Sequence, residues 1–453
     1  MTVRFWRIND DTNDAQLDEQ VRLGDYVPEG HMARFIVRVL KQLDLTGFYS
    51  KYSATGGAAY APEMLLGLLL YSYATGIFSS RKIEKATYES LPHYYLAGGM
   101  HPDHDTVNSF RQNFLEEIKE VFVQVLLYAQ ELGHLKLGAI SLDGSKIQAD
   151  ASKHSAVSYE RMQKLEAQFR QEIEELLILS SQAEREEWPD DFSPEYEIEL
   201  RQSQLAKLNQ AKTVIEERAE ERYQNEMAVY EAKVAERADY QERTGKKARG
   251  RSPVAPRAGA QAKDQYNFTD PESRIMKQGN GFEQAFNTQA AVCHQSRLVV
   301  ANTLSNQPTD YEQAEPTLQA IPSQLGKPTA AALDTGYFSA KTIRILTQMG
   351  IDPYIATGRE PHHPDWRRWL EKAPQPPPED ASPRLKMAYK LKTVIGQAIY
   401  RLRKSTVEPV FGIIKEVLGF RQFSLRGLLK AAGEWNLVCL AYNLKRLHCL
   451  ETA

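Results

Sequence analysis

Two short apolar runs, Ala139-Ile140-Ser141-Leu142 and Ala330-Ala331-Ala332-Leu333, each stop at an aspartate that is soon followed by glycine, in Asp143-Gly144-Ser145 and in Asp334-Thr335-Gly336. Runs of this kind read as buried strands followed by turns, so each predicts a carboxylate at a strand C-terminus. One such aspartate is ordinary turn chemistry; two in one domain mark a candidate site. Further strand-like runs at Gln284–Val292 and Leu298–Leu304, with a helical segment over Tyr311–Leu325 between them and the second aspartate, predict a mixed α/β layer.

A long segment interrupts that order. From Ser158 to Arg243 the chain is dominated by Glu, Gln, Lys, Arg and Ala, with Leu165, Phe169, Ile173 and Leu177 spaced helically, then Leu205, Leu208 and Ile215 beyond Pro189 and Pro194. The pattern predicts a helical hairpin of coiled-coil character. Taking residues 155–263 as an insertion leaves a stretch between the aspartates that suits a few strands and a crossover helix. The tail of the insertion carries Lys246, Lys247, Arg249, Arg251 and Arg257 among prolines and glycines, and reads either as a flexible basic linker or as an arm that touches DNA. A second, proline-rich linker is expected over Pro361–Pro383.

Residues 1–131 read as a small all-helical domain. Pro62 opens a strongly apolar helix that Gly76 closes, Ser79 or Ser80 caps a helix carrying Arg81, Lys82 and Lys85, Pro92 ends it, and Asp105 or Thr106 caps the next. Helix, tight turn and basic helix fit a helix-turn-helix and equally a packed bundle with ordinary surface arginines.

A chain of 453 residues suits two or three domains. Its three cysteines, Cys293, Cys439 and Cys449, form no CxxC pair, which predicts a reduced, cytoplasmic protein without a disulfide framework or zinc ribbon. No signal core or membrane span is read. The formal net charge of −3 argues against nucleic acid as a partner for the chain as a whole, yet from Lys386 to Arg446 there are twelve Lys or Arg against three Asp or Glu. One surface can be cationic while the protein is not.

The third acid is Glu408, in Thr406-Val407-Glu408-Pro409. Thr406 is expected to cap a helix with Glu408 in its first turn, where the helix dipole favours an ionised acid, and Pro409 where a missing N–H costs nothing. Lys415 falls two turns along the same face and suits a DNA phosphate. Three carboxylates are the hard oxygen donors that Mg²⁺ or Mn²⁺ prefers, and two such ions can cleave a phosphodiester with little covalent help from the protein. No run that cradles nucleotide phosphates occurs, so no ATP requirement follows.

This constellation resembles the DDE transposases of bacterial insertion sequences. Around the third acid those enzymes carry Tyr, two residues, Arg, three residues, Glu, six residues, Lys; Tyr400, Arg403, Glu408 and Lys415 follow it, except that four residues separate Arg403 from Glu408. Either Arg403 is displaced or Lys404 takes its place. The runs from Tyr266 to Met276 and from Glu434 to Arg446 also resemble one branch of the family, as does Pro102-Asp103-His104 leading to Phe110-Arg111. The resemblance implies an RNase H-like catalytic domain over residues 132–154 and 264–453, a mixed sheet with flanking helices, beside the N-terminal DNA-binding domain and the hairpin insertion. It implies two Mg²⁺ or Mn²⁺ ions on Asp143, Asp334 and Glu408, cleavage at terminal inverted repeats, strand transfer into target DNA, and a homodimer assembled on double-stranded DNA. Arg81, Lys82, Lys85, Arg111, Tyr400, Arg403, Lys404 and Lys415 are the expected DNA contacts. A DNA-binding regulator without catalysis and a nuclease without strand transfer are the rival readings.

Overall fold

The computed structural model describes residues 5–6, 16–18, 21–53, 57–182, 189, 191–245, 247, 250–279, 281–358 and 375–452. They fall into two compact units, residues 1–150 with 272–453 and residues 151–271.

In the first unit the N-terminal block comprises β1 (Phe5–Trp6), β2 (Gln16–Asp18), β3 (Val21–Arg22), α1 (Met32–Leu40), α2 (Thr46–Ser50), β4 (Ala59–Tyr60), α3 (Pro62–Ala74), α4 (Ser80–Glu89), α5 (Leu91–Leu96), α6 (His104–Asn113) and α7 (Leu115–Glu131). Two small ladders, β1 with β4 and β2 with β3, therefore accompany the helices expected there. Helix α3 opens on Pro62, whose missing N–H is harmless in a first turn, and buries every residue except Glu63. A helix apolar all round belongs in the middle of a bundle, and α3 packs against α1, α4, α5 and α6. Pro92 sits in the first turn of α5 instead of merely ending α4, and α6 is capped by Asp103, two residues ahead of the nearer expected cap, through Thr106 N at 2.6 Å.

The other elements of this unit are β5 (Ala139–Gln148) and, beyond the second unit, β8 (Arg274–Gln278), β9 (Gly281–Cys293), β10 (Val299–Ser305), α10 (Ala314–Gln319), β11 (Ala330–Leu333), α11 (Ala340–Gln348), β12 (Asp352–Ile355), α12 (Pro383–Lys392), α13 (Val394–Gly412) and α14 (Leu428–Glu451). Six strands make one sheet in the order β10-β9-β5-β11-β12, with β8 also pairing β9. Strand β9 runs antiparallel to β5, β8 and β10, whereas β11 is parallel to both β5 and β12. Helix α13 packs on β5, β9 and β11, and α14 packs on β10, α3 and α7. Trp435, Val438 and Tyr442 of α14 are buried, and the Trp435 indole donates to Gln289 O at 3.0 Å. The helix expected over Tyr311–Leu325 is confined to α10, with Pro322 preceding only a short 3₁₀ turn. Residues 359–374, the first part of the proline-rich segment, lie outside the described residues.

The second unit contains β6 (Ala156–Ser158), α8 (Tyr159–Gln182), α9 (Pro194–Thr244) and β7 (Gln265–Asn267). The antiparallel β6–β7 ladder closes its base. At 51 residues, α9 is roughly 77 Å long at the standard helical rise. Met162, Leu208, Ala211 and Ile215 form an apolar cluster between the two helices, with Val157 and Tyr266 of the ladder packed against it. Elsewhere ion pairs such as Lys212–Glu166 (2.5 Å) and Arg201–Glu172 (3.0 Å) cross between the helices, each contributing a few tenths of a kcal/mol. The basic tail returns along α9, tied by Arg222 to Asp264 at 2.9 Å and by Arg237 to the carbonyl of Gly250 at 3.2 Å. Cys293 and Cys439 are buried and Cys449 exposed, all with free thiols. No helix among the described residues is long and apolar enough to cross a membrane.

Candidate active site

Parallel pairing of β11 with β5 puts Leu333 opposite Leu142, so Asp334 and Asp143, the next residue on each, emerge side by side. Asp334 stands at the end of its strand, where its carboxylate accepts from Thr335 N at 2.7 Å. Asp143 does not end β5: the strand continues to Gln148, with Asp143 paired to Ala290 and Gly144 to Gln289 of β9. The Asp-Gly-Ser run expected to turn is therefore mid-strand, because a long antiparallel partner supplies ladder bonds past it. Gly144 serves there by lacking a side chain: a Cβ would come 2.6 Å from Asp310 Oδ1 and closer still to the Gln289 amide.

Glu408 is brought over this pair by α13, but not from a first turn. The helix begins at Val394, capped by Thr393 through Gly396 N, and runs unbroken past Glu408 with Pro409 inside it. Thr406 donates its hydroxyl back to Leu402 O instead of capping. Pro409 is tolerated late in α13, just before a π-helical turn over Ile413–Val417 that loosens the backbone register and carries Lys415. Since Glu408 is deep in the helix, the first-turn dipole does not act on it; a neighbouring cation faces it instead.

That cation is Arg403, buried on the sheet-facing side of α13. Its Nη1 lies 2.9 Å from Asp143 Oδ2, and its Nη2 lies 3.2 Å from Glu408 Oε1 and 3.9 Å from Asp334 Oδ1. One guanidinium thus reaches all three acids. Asp334 and Glu408 keep about half of their side-chain surface, 50% and 48%, so the cluster opens to solvent from their side.

Burial pushes the Asp143 carboxyl up to about 6, against the opposing pull of Arg403, with Asp334 and Asp310 adding to the rise. An acid whose pKa is higher folded than unfolded holds its proton better in the native state. Its contribution to stability is therefore complete below about pH 4 and lost as the pH climbs through about 6. We expect metal-free protein to lose melting temperature across that interval and Asp143→Asn to flatten the slope; identical slopes would rule out Asp143 as its source.

The remaining expected contacts are scattered. Arg81, Lys82 and Lys85 are all exposed on α4. Lys404 is exposed and Tyr400 half-buried on α13. Lys415 is half-buried and donates to Lys146 O at 2.8 Å, and burial lowers its pKa. Arg111 is not on the surface. Its Nη1 donates to Tyr73 Oη at 2.9 Å and to Phe78 O and Ser424 Oγ at 3.0 Å, and lies 3.7 Å from the fully buried Glu434. So enclosed, it is a core group in this structure, at a position where a DNA contact was expected. Sequence patterning gave no pointer to Lys146, Asn287, Gln289, Asp310 and Tyr337, which line the floor beneath Asp143. The signal present was a run of polar residues, Asn287-Thr288-Gln289, inside an otherwise apolar strand; all three are fully buried.

Asp143, Asp334 and Glu408 offer hard oxygen donors of the type Mg²⁺ or Mn²⁺ takes. As placed they surround the Arg403 guanidinium, and among the described residues no three His, Cys, Asp or Glu are grouped to hold an ion. Arg403 Nε is buried without a hydrogen-bond partner, so the guanidinium is held here through its Nη atoms. The donor chemistry fits a divalent cation, provided that Arg403 yields.

Residues 21–113 match the transposase domain (DUF772), and residues 255–444 match the transposase DDE domain. Neither a curated protein nor a solved structure matches the chain. The second match contains Asp334, Arg403 and Glu408, while Asp143 precedes it and joins them through the sheet. With both transposase domains present in one chain, the protein belongs to the DDE transposases of insertion sequences.

Proposed function

We propose that this transposase cuts DNA at the ends of its element and joins the freed 3′ ends to target DNA, with Asp143, Asp334 and Glu408 holding two Mg²⁺ or Mn²⁺ ions. The observation that carries this reading is the meeting of three acids, far apart in sequence, around one guanidinium. Strand order and direction, with antiparallel β9 between β10 and β5 and parallel β11 and β12 on the other side, support an RNase H-like sheet. The ions, when bound, supply activation of the attacking oxygen and stabilisation of the leaving one. The chain's own work is positional: the β5–β11 register sets the two aspartates side by side, and α13 carries Glu408 to them. Arg403 neutralises the acids before loading and, once displaced, is a cation placed to meet a backbone phosphate, with Tyr400, Lys404 and Lys415 on the same segment.

The test is to incubate the protein with terminal-repeat DNA, a target plasmid and Mg²⁺ or Mn²⁺. Cleaved ends joined to target are the expected products. Cleavage without joining would make the protein a nuclease, and end binding without either would make it a regulator.

Residues 1–131 are proposed to bind the element's ends, supported by the basic cluster Arg81, Lys82 and Lys85 on α4. Replacing the three by alanine should weaken end binding and lower the slope of log affinity against log salt by about one for each phosphate no longer neutralised. An unchanged slope would place recognition elsewhere. Residues 155–263 are proposed to assemble a homodimer on DNA, because Leu177, Ile178 and Leu179 leave half of their surface in water. Exchanging residues 155–263 for a Gly/Ser linker should abolish the dimeric complex on end DNA; an intact dimer would refute the assignment.

A further inference from the structure

Asp310 lies in the loop between β10 and α10, and its side chain reaches the floor of the acid site. Its Oδ1 accepts from Asn287 Nδ2 and Gln289 Nε2, both at 2.8 Å, and from Lys146 Nζ at 3.3 Å. Three donors thus converge on one carboxylate oxygen. Asn287 and Gln289, two apart on β9, share one face of the sheet and are fully buried, so neither amide has water as an alternative. Asn287 Nδ2 is also shared with Gln307 O at 3.1 Å, and Gln289 Oε1 accepts from the hydroxyl of buried Tyr337.

The carboxylate touches both acid-bearing segments. It fills the space that a side chain at residue 144 would need, directly after Asp143, and its Oδ2 and Cβ lie 3.6 Å from where a Cβ would stand on Gly336, two residues after Asp334. Lys146, the cation paired with it, sits three residues beyond Asp143 and accepts at its carbonyl the ammonium of Lys415. One loop acid therefore connects β5, β9, the turn after β11 and the Lys415 segment.

We propose that Asp310 is a positioning residue of the active site: by filling the gap between Gly144 and Gly336 and holding Lys146, it sets the separation of Asp143 and Asp334 that divalent-ion binding requires. This rests on the metal-dependent reading above. Asp310 itself binds neither ion nor DNA. It acts by fixing the backbone from which the ligands extend, and removing a group that orients metal ligands typically costs about 10–100-fold in metal affinity.

The experiment uses full-length protein and Mn²⁺, with melting temperature as a readout that needs no DNA. Mn²⁺ should raise the melting temperature of wild type, and Asp310→Asn should fold with a metal-free melting temperature close to wild type. Its half-saturating Mn²⁺ concentration should rise about tenfold, and the same displacement should appear in the Mn²⁺ dependence of cleavage. Asp310→Glu, which keeps the charge, should recover part of the difference. Should Asp310→Asn fail to fold, Lys146→Met removes the paired cation alone and should raise half-saturation in the same direction. Unchanged half-saturation in the folded variant overturns the proposal, and so does a lower melting temperature with an unchanged Mn²⁺ response, the signature of a merely structural acid. A wild type that shows no Mn²⁺ response overturns the metal-dependent reading and this proposal with it. A normal wild-type response beside an unchanged variant overturns only the role of Asp310.

Discussion

Asp143→Asn, Asp334→Asn and Glu408→Gln, made one at a time, should each reduce cleavage of terminal-repeat DNA on the order of 10³-fold or more, with end binding retained. The size follows from what a divalent ion contributes to a phosphodiester transition state, several kcal/mol, at about 1.4 kcal/mol per tenfold in rate. Each substitution keeps the volume of the side chain and one oxygen, so packing is preserved while the anionic ligand is removed. None of the three should lose stability, and Asp143→Asn should gain some above about pH 6. Asp143 is ion-paired to Arg403 at 2.9 Å but also buried enough to hold its proton up to about pH 6, so the amide trades a strained charge for a neutral acceptor. Asp334 and Glu408 are half-exposed, and their pairs with Arg403 are worth little once water screens them. Cleavage within tenfold of wild type in any one variant, with folding and binding confirmed, removes that residue from the site.

Glu434→Ala should destabilise the first unit by about 3–5 kcal/mol, the usual result of removing one member of a buried ion pair, which corresponds to roughly 10 °C in melting temperature. Glu434 is fully buried in α14. It accepts from Tyr73 Oη at 2.9 Å, from Ser424 N at 2.8 Å and from Leu425 N at 3.0 Å, and it faces Arg111 at 3.7 Å. The alanine variant strands a buried guanidinium, a phenol and two backbone donors at once. Arg111→Ala should cost a comparable amount, and the double variant less than the sum of the two, since each single change already breaks the shared network. The competing assignment of Arg111 as a DNA contact predicts the reverse pattern: a normal melting temperature with weakened, less salt-sensitive end binding. Measuring both quantities on Arg111→Ala separates the two.

Much of this architecture was legible in residue order. Buried strands over residues 139–142 and 330–333, the helical hairpin, and α3 with its opening proline all follow from local periodicity and turn chemistry, which act over a few residues. The proposal of Asp143, Asp334 and Glu408 as a set came from these local readings together with the family resemblance, to which the spacing from Glu408 to Lys415 added specificity. Local rules failed where a distant partner outbid them. Asp143-Gly144-Ser145 has turn composition, yet β9 holds it in a ladder; Thr406 and Pro409 look like a helix start, yet α13 gains more by continuing along β5 and β11.

Charge type was readable from the sequence, but charge partners were not. Arg403 and Arg111 carry the same guanidinium, and sequence placed both beside DNA. In the fold Arg403 gathers Asp143, Asp334 and Glu408, and Arg111 is enclosed by Tyr73, Ser424 and Glu434. Asp310 drew no notice because a loop aspartate before a helix is commonplace until Asn287, Gln289 and Lys146 are seen to converge on it. Periodicity and backbone chemistry, being short-ranged, let the sequence alone determine most of the elements and the helical hairpin. Which cation each acid faces depends on strand register and helix packing between residues hundreds of positions apart, and only the tertiary structure decided it, because burial makes a charge take whichever partner the packing brings within reach.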